Sequence, residues 1–409
     1  MSEAWIIDAA RTPRGIGKVG KGALAGVHPQ RLLSTVLQAL AKRNDLDTAT
    51  VDDVIAGCGT QVGKQGSCIA RMSALDAGYS ELAAGVSIER FCGSGLTAVN
   101  LGAAGIMSGM QQLVVAGGVE SMSHNSTLGP QPLLDSGNLA LRARIPQPHQ
   151  GICADLIATL EGFTRHQVDQ LAVESQQRAA VAIREGRFAR ALIPVHNEDG
   201  SVALDREEYP RPGTTLEGLS QLKAAFTALY EQPLDAEGTS YARLVRQVYP
   251  DVKINHIHHA GNSSGVVDGA AGVVLASPGY AKAHGLKPRA RIRAFATVGD
   301  SPTLMLNAPV PAARKALQIA GMSLKDIELF EINEAFAVVP LKFMRDLNID
   351  PAIVNVNGGA MALGHPIGAT GAIILGTLLD EMERRDLSVG MATLCAAGGM
   401  APATIIERI

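Results

Sequence analysis

Short apolar runs alternate with segments of helical spacing over the first and last thirds of the chain. The pattern predicts strands over residues 4–10, 51–57, 86–90, 113–118, 269–276, 289–297, 327–332, 354–357, 391–394 and 404–407. It predicts helices over residues 29–43, 67–77, 96–107, 167–187, 214–222, 241–248, 311–320, 335–347 and 367–379. Strands that alternate with helices are typical of a mostly parallel sheet covered on both faces.

The middle third lacks this regular pattern. Residues 121–150 are rich in Pro, Gly, Ser and Asn, residues 197–213 are charged and contain prolines, and residues 227–255 are largely polar. Such a segment is typical of a loop-rich insertion over a regular scaffold, where binding functions are often located.

The two outer thirds resemble each other. Cys92-Gly93-Ser94-Gly95 opens a small-residue helix that a strand follows, and His365-Pro366-Ile367-Gly368 does the same. We therefore expect two copies of one strand–helix unit whose helix starts meet in one site.

Composition narrows the class of protein. The 409 residues are 46% hydrophobic and carry a net charge of −3, which favours a globular protein and gives no sign of a nucleic-acid or anionic-membrane surface. Five cysteines without close pairs favour a reducing compartment, and no signal peptide or membrane-spanning run is evident, so we expect a cytoplasmic protein. The clustered His256, His258 and His259 have no matching distant cluster, which argues against a metal site.

Cys92 lies where a predicted strand ends and a buried helix begins. The unpaired N–H groups and the dipole at a helix start favour a thiolate, so Cys92 is a candidate nucleophile. A buried structural thiol is the alternative, and it is the commoner role of a single cysteine. Gly15-Ile16-Gly17-Lys18-Val19-Gly20 also matches G-x-G-x-x-G, but no helix is predicted to start there, which favours a surface loop over a dinucleotide site.

Three further polar groups lie in glycine-rich or small-residue surroundings at strand ends or helix starts, namely Asn333, His365 and Cys395. A histidine with a cysteine suggests an activated thiol, and a second cysteine suggests a second proton-transfer group. Each also has a plainer interpretation: Asn333 as a helix cap, His365 as a core histidine and Cys395 as a small buried residue.

In these motifs the chain resembles the thiolase family from end to end. The motifs are Arg90-Phe91-Cys92-Gly93-Ser94-Gly95-Leu96, Ala260-Gly261-Asn262-Ser263-Ser264-Gly265, Asn333-Glu334-Ala335-Phe336, and Asn357-Gly358-Gly359 through Gly364-His365-Pro366-Ile367-Gly368 to Gly371. The resemblance implies an α/β fold of two duplicated βαβαβαββ halves in an α/β/α/β/α arrangement with an inserted loop domain. The implied division is residues 1–121 plus 256–280, the insertion 122–255, and residues 281–409.

The resemblance also implies the reaction, which is acyl transfer between CoA thiols. Cys92 would carry the acyl group, His365 would take its proton, and Cys395 would be the acid or base of the carbon–carbon step. Asn333 would hold a water for one oxyanion site, and the N–H groups of Cys92 and Ala397 would form the other. Coenzyme A would be a co-substrate, with no tightly bound cofactor, and the implied CoA contacts are His149, Arg211, Leu222, Phe226, Ala260, Ser264, Met305 and Phe336.

Several positions depart from the family pattern. Gln150 follows His149 where the family has methionine, Leu306 replaces a glycine, and Ala397 adds a methyl group beside the expected oxyanion site. The segment 227–259 is longer than usual and contains several aromatic and histidine residues, which favours a larger or cyclic acyl group. An insertion without effect on specificity is the alternative.

Two rival functions are a decarboxylating ketosynthase and a non-catalytic acyl-CoA carrier. A ketosynthase shares a cysteine nucleophile but not a second cysteine at the place of Cys395, and the presence of Cys92, His365, Asn333 and Cys395 disfavours a carrier. Within the family, acetoacetyl-CoA synthesis is the alternative to breakdown of a fatty-acid or steroid intermediate. The apolar run 113–117 looks too hydrophobic for an exposed sheet edge, and with the resemblance it predicts a homodimer or homotetramer. We expect no nucleic-acid or membrane partner.

Overall fold

A computed structural model describes residues 3–129, 133–235 and 237–409. Its strands are β1 Trp5–Arg11, β2 Gly15–Ile16, β3 Asp53–Gly57, β4 Ala84–Ile88, β5 Leu113–Ser121, β6 Val195–His196, β7 Val202–Leu204, β8 Val267–Ala276, β9 Ala290–Gly299, β10 Leu329–Ile332, β11 Val389–Thr393 and β12 Met400–Arg408. Its helices are α1 Pro29–Arg43, α2 Ile69–Asp76, α3 Ser94–Met107, α4 Met122–Asn125, α5 Leu139–Arg144, α6 Gln150–Glu161, α7 Arg165–Arg184, α8 Leu216–Ser220, α9 Thr227–Glu231, α10 Tyr241–Val248, α11 Pro278–Ala283, α12 Pro309–Ala320, α13 Val338–Leu347, α14 Ala360–Leu363 and α15 Thr370–Arg385.

The main sheet shows the duplication directly. Its strand order is β10-β11-β12-β9-β1-β8-β5-β3-β4, with β2 paired to β8. In the first half the order from the outer edge is β4, β3, β5, β8, β1, and in the second half it is β10, β11, β12, β9, with the segment at Val354 bridged to β10 at the outer end. The two halves join through a short ladder in which Trp5 and Ile6 of β1 pair with Arg291 and Ala290 of β9.

The expectation of a mostly parallel sheet is wrong. Only the pairs β3–β4, β3–β5 and β10–β11 of the described chain are parallel, whereas β5–β8, β8–β1, β1–β9, β9–β12 and β12–β11 are antiparallel. Crossover helices join the parallel strands, but β11 and β12 are separated by only a short turn, which requires antiparallel pairing. The predicted alternation of helices and strands is confirmed. The sheet is mixed because the closing strands of each half pair antiparallel with their neighbours.

The strand predicted over residues 354–357 is reduced to one bridge between Val354 and Phe330. Asn355 turns away from the strand with φ of 47°, so its backbone cannot continue the ladder. Its side chain replaces the backbone: the amide accepts from Ile332 N at 2.7 Å and donates to Ile332 O at 2.8 Å. A sequence pattern does not reveal a side chain that substitutes for a strand.

Helices lie inside and outside this sheet. Helix α3 is buried over most of its length and packs beside α15, and both contact apolar side chains from strands of the two halves. Helices α1 and α2 cover the first half from outside, and α12 and α13 cover the second. This is the predicted layered arrangement, with the two equivalent helices at its centre.

The region between β5 and β8 contains a buried helix that the sequence pattern missed. Helix α6 is apolar on nearly all sides from Ile152 to Ala158, so it has no amphipathic period to recognise. Residues of α7 pack against Leu363 of the second half. The domain boundaries expected from the sequence stay a prediction. In the described ranges, no helix is long and apolar enough to cross a membrane.

Candidate active site

Cys92 lies in a tight turn between β4 and α3. The turn Phe91–Gly93 is a short 3₁₀ helix, and Phe91 has φ of 46°, an unusual value for a residue with a bulky side chain. The Ser94 hydroxyl accepts from Arg90 N at 2.8 Å and donates to Phe91 O at 2.7 Å, which holds the turn. The predicted strand, turn and buried helix are confirmed here.

The Cys92 thiol is protonated at rest. Burial, and secondarily the negative charge of Glu120, raises the pKa of Cys92 to about 12. The expectation that the helix start yields a thiolate is therefore wrong, because desolvation of the anion outweighs the favourable helix position. The thiol needs a base.

His365 is held in one tautomer by its neighbours. Its Nδ1 lies 2.5 Å from Thr370 Oγ1, and the same hydroxyl donates to the carbonyl of Pro366 at 2.9 Å. We assign the hydroxyl proton to the carbonyl, and in this assignment Nδ1 carries the ring proton and Nε2 offers a lone pair. Burial lowers the pKa of His365 to about 4, so the imidazole is neutral near pH 7 and its Nε2 can act as a base.

Asn333 faces this Nε2. Its Nδ2 lies 3.5 Å from His365 Nε2, and its Oδ1 is buried and has no hydrogen-bond partner in the part of the chain described. The helix that follows begins at Val338 and is preceded by Ala337, so Asn333 does not cap it. The capping alternative is excluded, and the amide is free to serve the site.

Cys395 follows β11 and is 1% exposed. Burial and the nearby Cys92 raise the pKa of its thiol, so it is also protonated at rest. The next residues form a tight turn in which Ala396 pairs with Met400, and Gly398 and Gly399 both have φ of 77°. Within the described ranges no protein acceptor is found for the N–H groups of Cys92 and Ala397, as an oxyanion site requires.

The two helix starts approach at glycines. A Cβ on Gly371 would lie 2.0 Å from Leu96 N, and a Cβ on Gly95 would lie 2.7 Å from Gly368 O. Only glycine allows this approach of α15 to α3. Beside it, one Glu120 oxygen accepts from Gly59 N at 2.7 Å and from Gly368 N at 2.9 Å, so one carboxylate ties the two halves together. The predicted meeting of the helix starts is confirmed.

The residues expected to contact CoA fall into two groups. Phe226 lies between His149 and Phe336, with ring centroids 5.5 and 6.0 Å away, and Ser264 N donates to Ala335 O beside Phe336. Met305 is buried in the same apolar cluster as Cys395. The second group is exposed: Arg211, Leu222 and Ala260.

Arg211 is connected to the site by one aromatic ring. Its guanidinium lies 5.4 Å from the centroid of Tyr209. The Tyr209 ring in turn packs so closely on Gly265 that a Cβ there would lie 2.4 Å away. Tyr209 therefore links Arg211 to Gly265, which directly follows the predicted contact Ser264.

Sequence reasoning missed three groups that hold the site. Thr370 fixes the His365 tautomer, Glu120 bridges the halves, and the Asp155 carboxylate accepts from the backbone N–H and from Nδ1 of His258, at 2.9 and 2.8 Å. Thr370 lies five residues after His365 in the same motif, and its position at a helix start was the available signal. Glu120 and Asp155 have no local signal, since their partners lie far away in the sequence.

The triple His256, His258 and His259 is used for structure. His256 and His258 both face Asp155, whereas His259 faces Asp169 at 2.9 Å. Over the described residues, no group of three or more His, Cys, Asp or Glu side chains is placed to hold a metal ion.

Comparisons with known proteins agree with this geometry. Residues 4–229 match the family model "Thiolase, N-terminal domain", and residues 286–408 match "Thiolase, C-terminal domain". The steroid 3-ketoacyl-CoA thiolase FadA6 of Mycobacterium tuberculosis is 41% identical over 100% of this chain and 95% of its own length. The acetyl-CoA acetyltransferase of Escherichia coli is 39% identical over 100% of both chains. The crystal structure of the Bacillus anthracis acetyl-CoA acetyltransferase superposes with a TM-score of 0.84 at 35% identity, over 100% of this chain and 99% of that one.

Proposed function

The chain belongs to the thiolase family, and from that premise we propose that it cleaves a 3-ketoacyl-CoA with coenzyme A through an acyl group carried on Cys92. The protein is an acyltransferase of a family that acts on CoA and acyl-CoA thioesters. The observation that supports the proposed residue roles is the meeting of the two helix starts: Gly95, three residues after Cys92, approaches Gly368, three residues after His365.

In the proposed first half-reaction, His365 Nε2 takes the thiol proton as Cys92 Sγ attacks the 3-keto carbon. The neutral thiol and the neutral imidazole fit a transfer that occurs only when substrate is present. The N–H groups of Cys92 and Ala397 stabilise one oxyanion, and a water held by Asn333 with His365 stabilises the other.

Cys395 completes the carbon–carbon step. As the bond between C2 and C3 breaks, its electron pair passes to C2, and the Cys395 thiol gives its proton there to release acetyl-CoA. A second CoA thiol then gives its proton to the Cys395 thiolate and takes the acyl group from Cys92, and the released Cys92 thiolate regains its proton from His365. The raised pKa of Cys395 supports this role, because an acid must keep its proton until the carbanion develops.

For the acyl group we propose a larger or ring-bearing chain. The segment 227–259 is not a detached surface insertion: Tyr241 of α10 lies 6.0 Å from His149, centroid to centroid, and Tyr230 and Tyr241 pack on α6. His258 lies 5.7 Å from Phe336 and its Nε2 has no partner among the described residues. These rings extend the apolar surface around Phe226 and Phe336, which favours a bulky acyl group.

A thiolysis panel tests this proposal. We expect kcat/KM for medium-chain or ring-bearing 3-ketoacyl-CoAs to exceed that for acetoacetyl-CoA by more than about tenfold, since each added pocket contact contributes about 1–3 kcal/mol. A preference for acetoacetyl-CoA would favour the alternative named in several relatives, acetyl-CoA acetyltransferase. Cleavage of no 3-ketoacyl-CoA would contradict the proposed reaction itself.

We also propose a homo-oligomer, for a different reason than the sequence suggested. The run 113–117 lies inside the sheet between β3 and β8, so it is not an edge. One end of the sheet is β4, and Val86 on it and Leu82 before it are 39% and 75% exposed. An unpaired edge with apolar neighbours favours pairing with a second copy. Light scattering that gives the monomer mass at micromolar concentration would contradict this.

A cytoplasmic location and the absence of nucleic-acid or membrane partners stay predictions. All five cysteines are free, which is compatible with a reducing compartment. Cell fractionation with an antibody to the native protein would test the location.

A further inference from the structure

We propose that Glu331 is a positioning residue for the reaction, and that it orients the Asn333 amide through a small buried cavity behind the site. The inference rests on the role proposed for Asn333 and adds a residue that neither the motif nor the reaction requires by itself. It is carried by two unpartnered oxygen atoms, one cavity and a fixed direction of hydrogen bonding.

The two side chains lie at the end of β10 and share one cavity. Glu331 is in β10 and Asn333 directly follows it, with its N–H still donating to Thr393 O at 3.1 Å, so the extended backbone points both side chains to the same side. Both line a cavity of about 20 Å³, together with Thr370. Glu331 Oε1 and Asn333 Oδ1 are buried and have no partner in the described part of the chain. Unpaired buried oxygens are costly, so two beside one cavity indicate a shared partner.

The direction of each hydrogen bond follows from the assignment of the Thr370 hydroxyl proton to the Pro366 carbonyl, which can only accept. Thr370 donates to it and therefore accepts from His365 Nδ1, which leaves Nε2 as an acceptor. Asn333 must then present Nδ2 to Nε2, as it does at 3.5 Å. The Asn333 Oδ1 consequently faces away from the imidazole and requires a donor.

Glu331 supplies this donor. Burial, and then the charges of Glu334 and Glu381, raises the pKa of Glu331 well above its ordinary value, although Arg14 opposes the shift. The neutral acid has one O–H to donate. Arg14 also lines the cavity, but its Nε and Nη2 are bound to Glu207 at 3.3 and 2.7 Å.

The cavity can hold one water, since about 10–15 Å³ is enough for a water that has polar partners. Either directly or through this water, Glu331 donates to Asn333 Oδ1. The amide N–H groups are then fixed toward His365 and the catalytic water. The relay from Glu331 to Pro366 has one donor and one acceptor at each step.

The test compares Glu331→Gln with Glu331→Met. Both keep the length of the side chain, but only Gln keeps a neutral donor. We expect Glu331→Gln to stay within about threefold of wild type in kcat for thiolysis and Glu331→Met to lose about tenfold or more, with KM unchanged. Thr377→Val is the control, because it removes a different hydroxyl from the same cavity. It should leave kcat unchanged.

A double-mutant comparison with Asn333→Ala distinguishes a positioning role of Glu331 from a purely structural one. In an Asn333→Ala background, Glu331→Met should cause less than about a twofold further loss, because the group it orients is gone. Multiplicative losses, an equal loss in Glu331→Gln, or an equal loss in Thr377→Val would overturn the inference. If Asn333→Ala alone has no effect, the proposed role of Asn333 fails first, and with it this inference.

Folding is monitored by circular dichroism and thermal unfolding of each variant. Should Glu331→Met not fold, a high-resolution structure of Glu331→Gln decides. We expect the introduced amide to reach Asn333 Oδ1 directly or through one water, and a cavity with no bridge between the two side chains would overturn the proposal.

Discussion

The junction between β4 and α3 and the junction before α15 occupy equivalent places in the duplicated sheet, yet they are built differently. In the first half a complete strand leads to a three-residue turn that contains Cys92. In the second half the strand is reduced to one bridge, the side chain of Asn355 completes the ladder, and a longer loop carries His365. The duplicated scaffold brings the two helix starts together, and the local departures from it decide which chemical group each start presents.

The largest expected effect on kcat comes from removing the base, His365, which only the second junction supplies. We expect His365→Ala to lower kcat for thiolysis by about 10³-fold or more, because the buried Cys92 thiol then has no proton acceptor. His284→Ala, at an exposed histidine after α11, is the matched control and should leave kcat unchanged. A loss below about tenfold in His365→Ala would show that Cys92 does not depend on this base.

The reduced strand of the second half is tested by Asn355→Leu. The change leaves the N–H and the carbonyl of Ile332 unpaired in a buried setting, so the free energy of unfolding should fall by about 2–4 kcal/mol. Denaturant unfolding at a fixed protein concentration measures this. Asn197→Leu, at an exposed asparagine, should change stability by less than about 0.5 kcal/mol. Equal stability of the two variants would mean that the Asn355 side chain does not replace a strand.

The contact between the halves is tested at Gly371. A methyl group there meets the backbone of Leu96, which cannot move without displacing α3, so we expect a loss of about 1–3 kcal/mol and impaired turnover. Gly279→Ala is the control, because no atom lies within 4 Å of the added Cβ in α11. It should be neutral or slightly stabilising, and an undisturbed Gly371→Ala variant would argue against close packing of the helix starts.

The smallest expected change concerns pH. Since the pKa of His365 is lowered to about 4, the imidazole stays neutral as the pH falls from 7.5 to 6. The rate of Cys92 acylation by acetyl-CoA should therefore change by less than about twofold over this range. An unshifted histidine would lose about fourfold, because its pKa lies near 6.5. A profile with an acid limb near pH 6.5 would contradict the buried neutral imidazole.

The sequence revealed the elements with a clear period or a specific motif. Helix α1 and helix α10 begin and end where the pattern predicts, and the four catalytic candidates lie in buried junctions. The failures have physical causes. Helix α6 is apolar on nearly all sides, so it shows no amphipathic period. At residues 354–357 the side chain of Asn355 takes the place of a strand's backbone hydrogen bonds. Strand direction depends on connections that a local pattern does not contain.

The site was predictable in its members but not in its electrostatics. The helix start at Cys92 suggested a thiolate, whereas the pKa of the thiol depends on burial and on Glu120, which lies on another strand. Glu120 acts through contacts with Gly59 and Gly368, which lie in segments distant in sequence. The role that we propose for Glu331 depends on a cavity. Such groups become visible only when the fold has placed them.

Acyl transfer to Cys92 is the central claim, and intact-mass spectrometry tests it directly. After incubation with acetyl-CoA, wild type and Cys395→Ala should both gain one acetyl group, and Cys395→Ala should still fail to cleave a 3-ketoacyl-CoA. Cys92→Ala should gain no mass. An acetyl group retained on the Cys92→Ala protein would contradict the assignment of Cys92 as the acyl carrier.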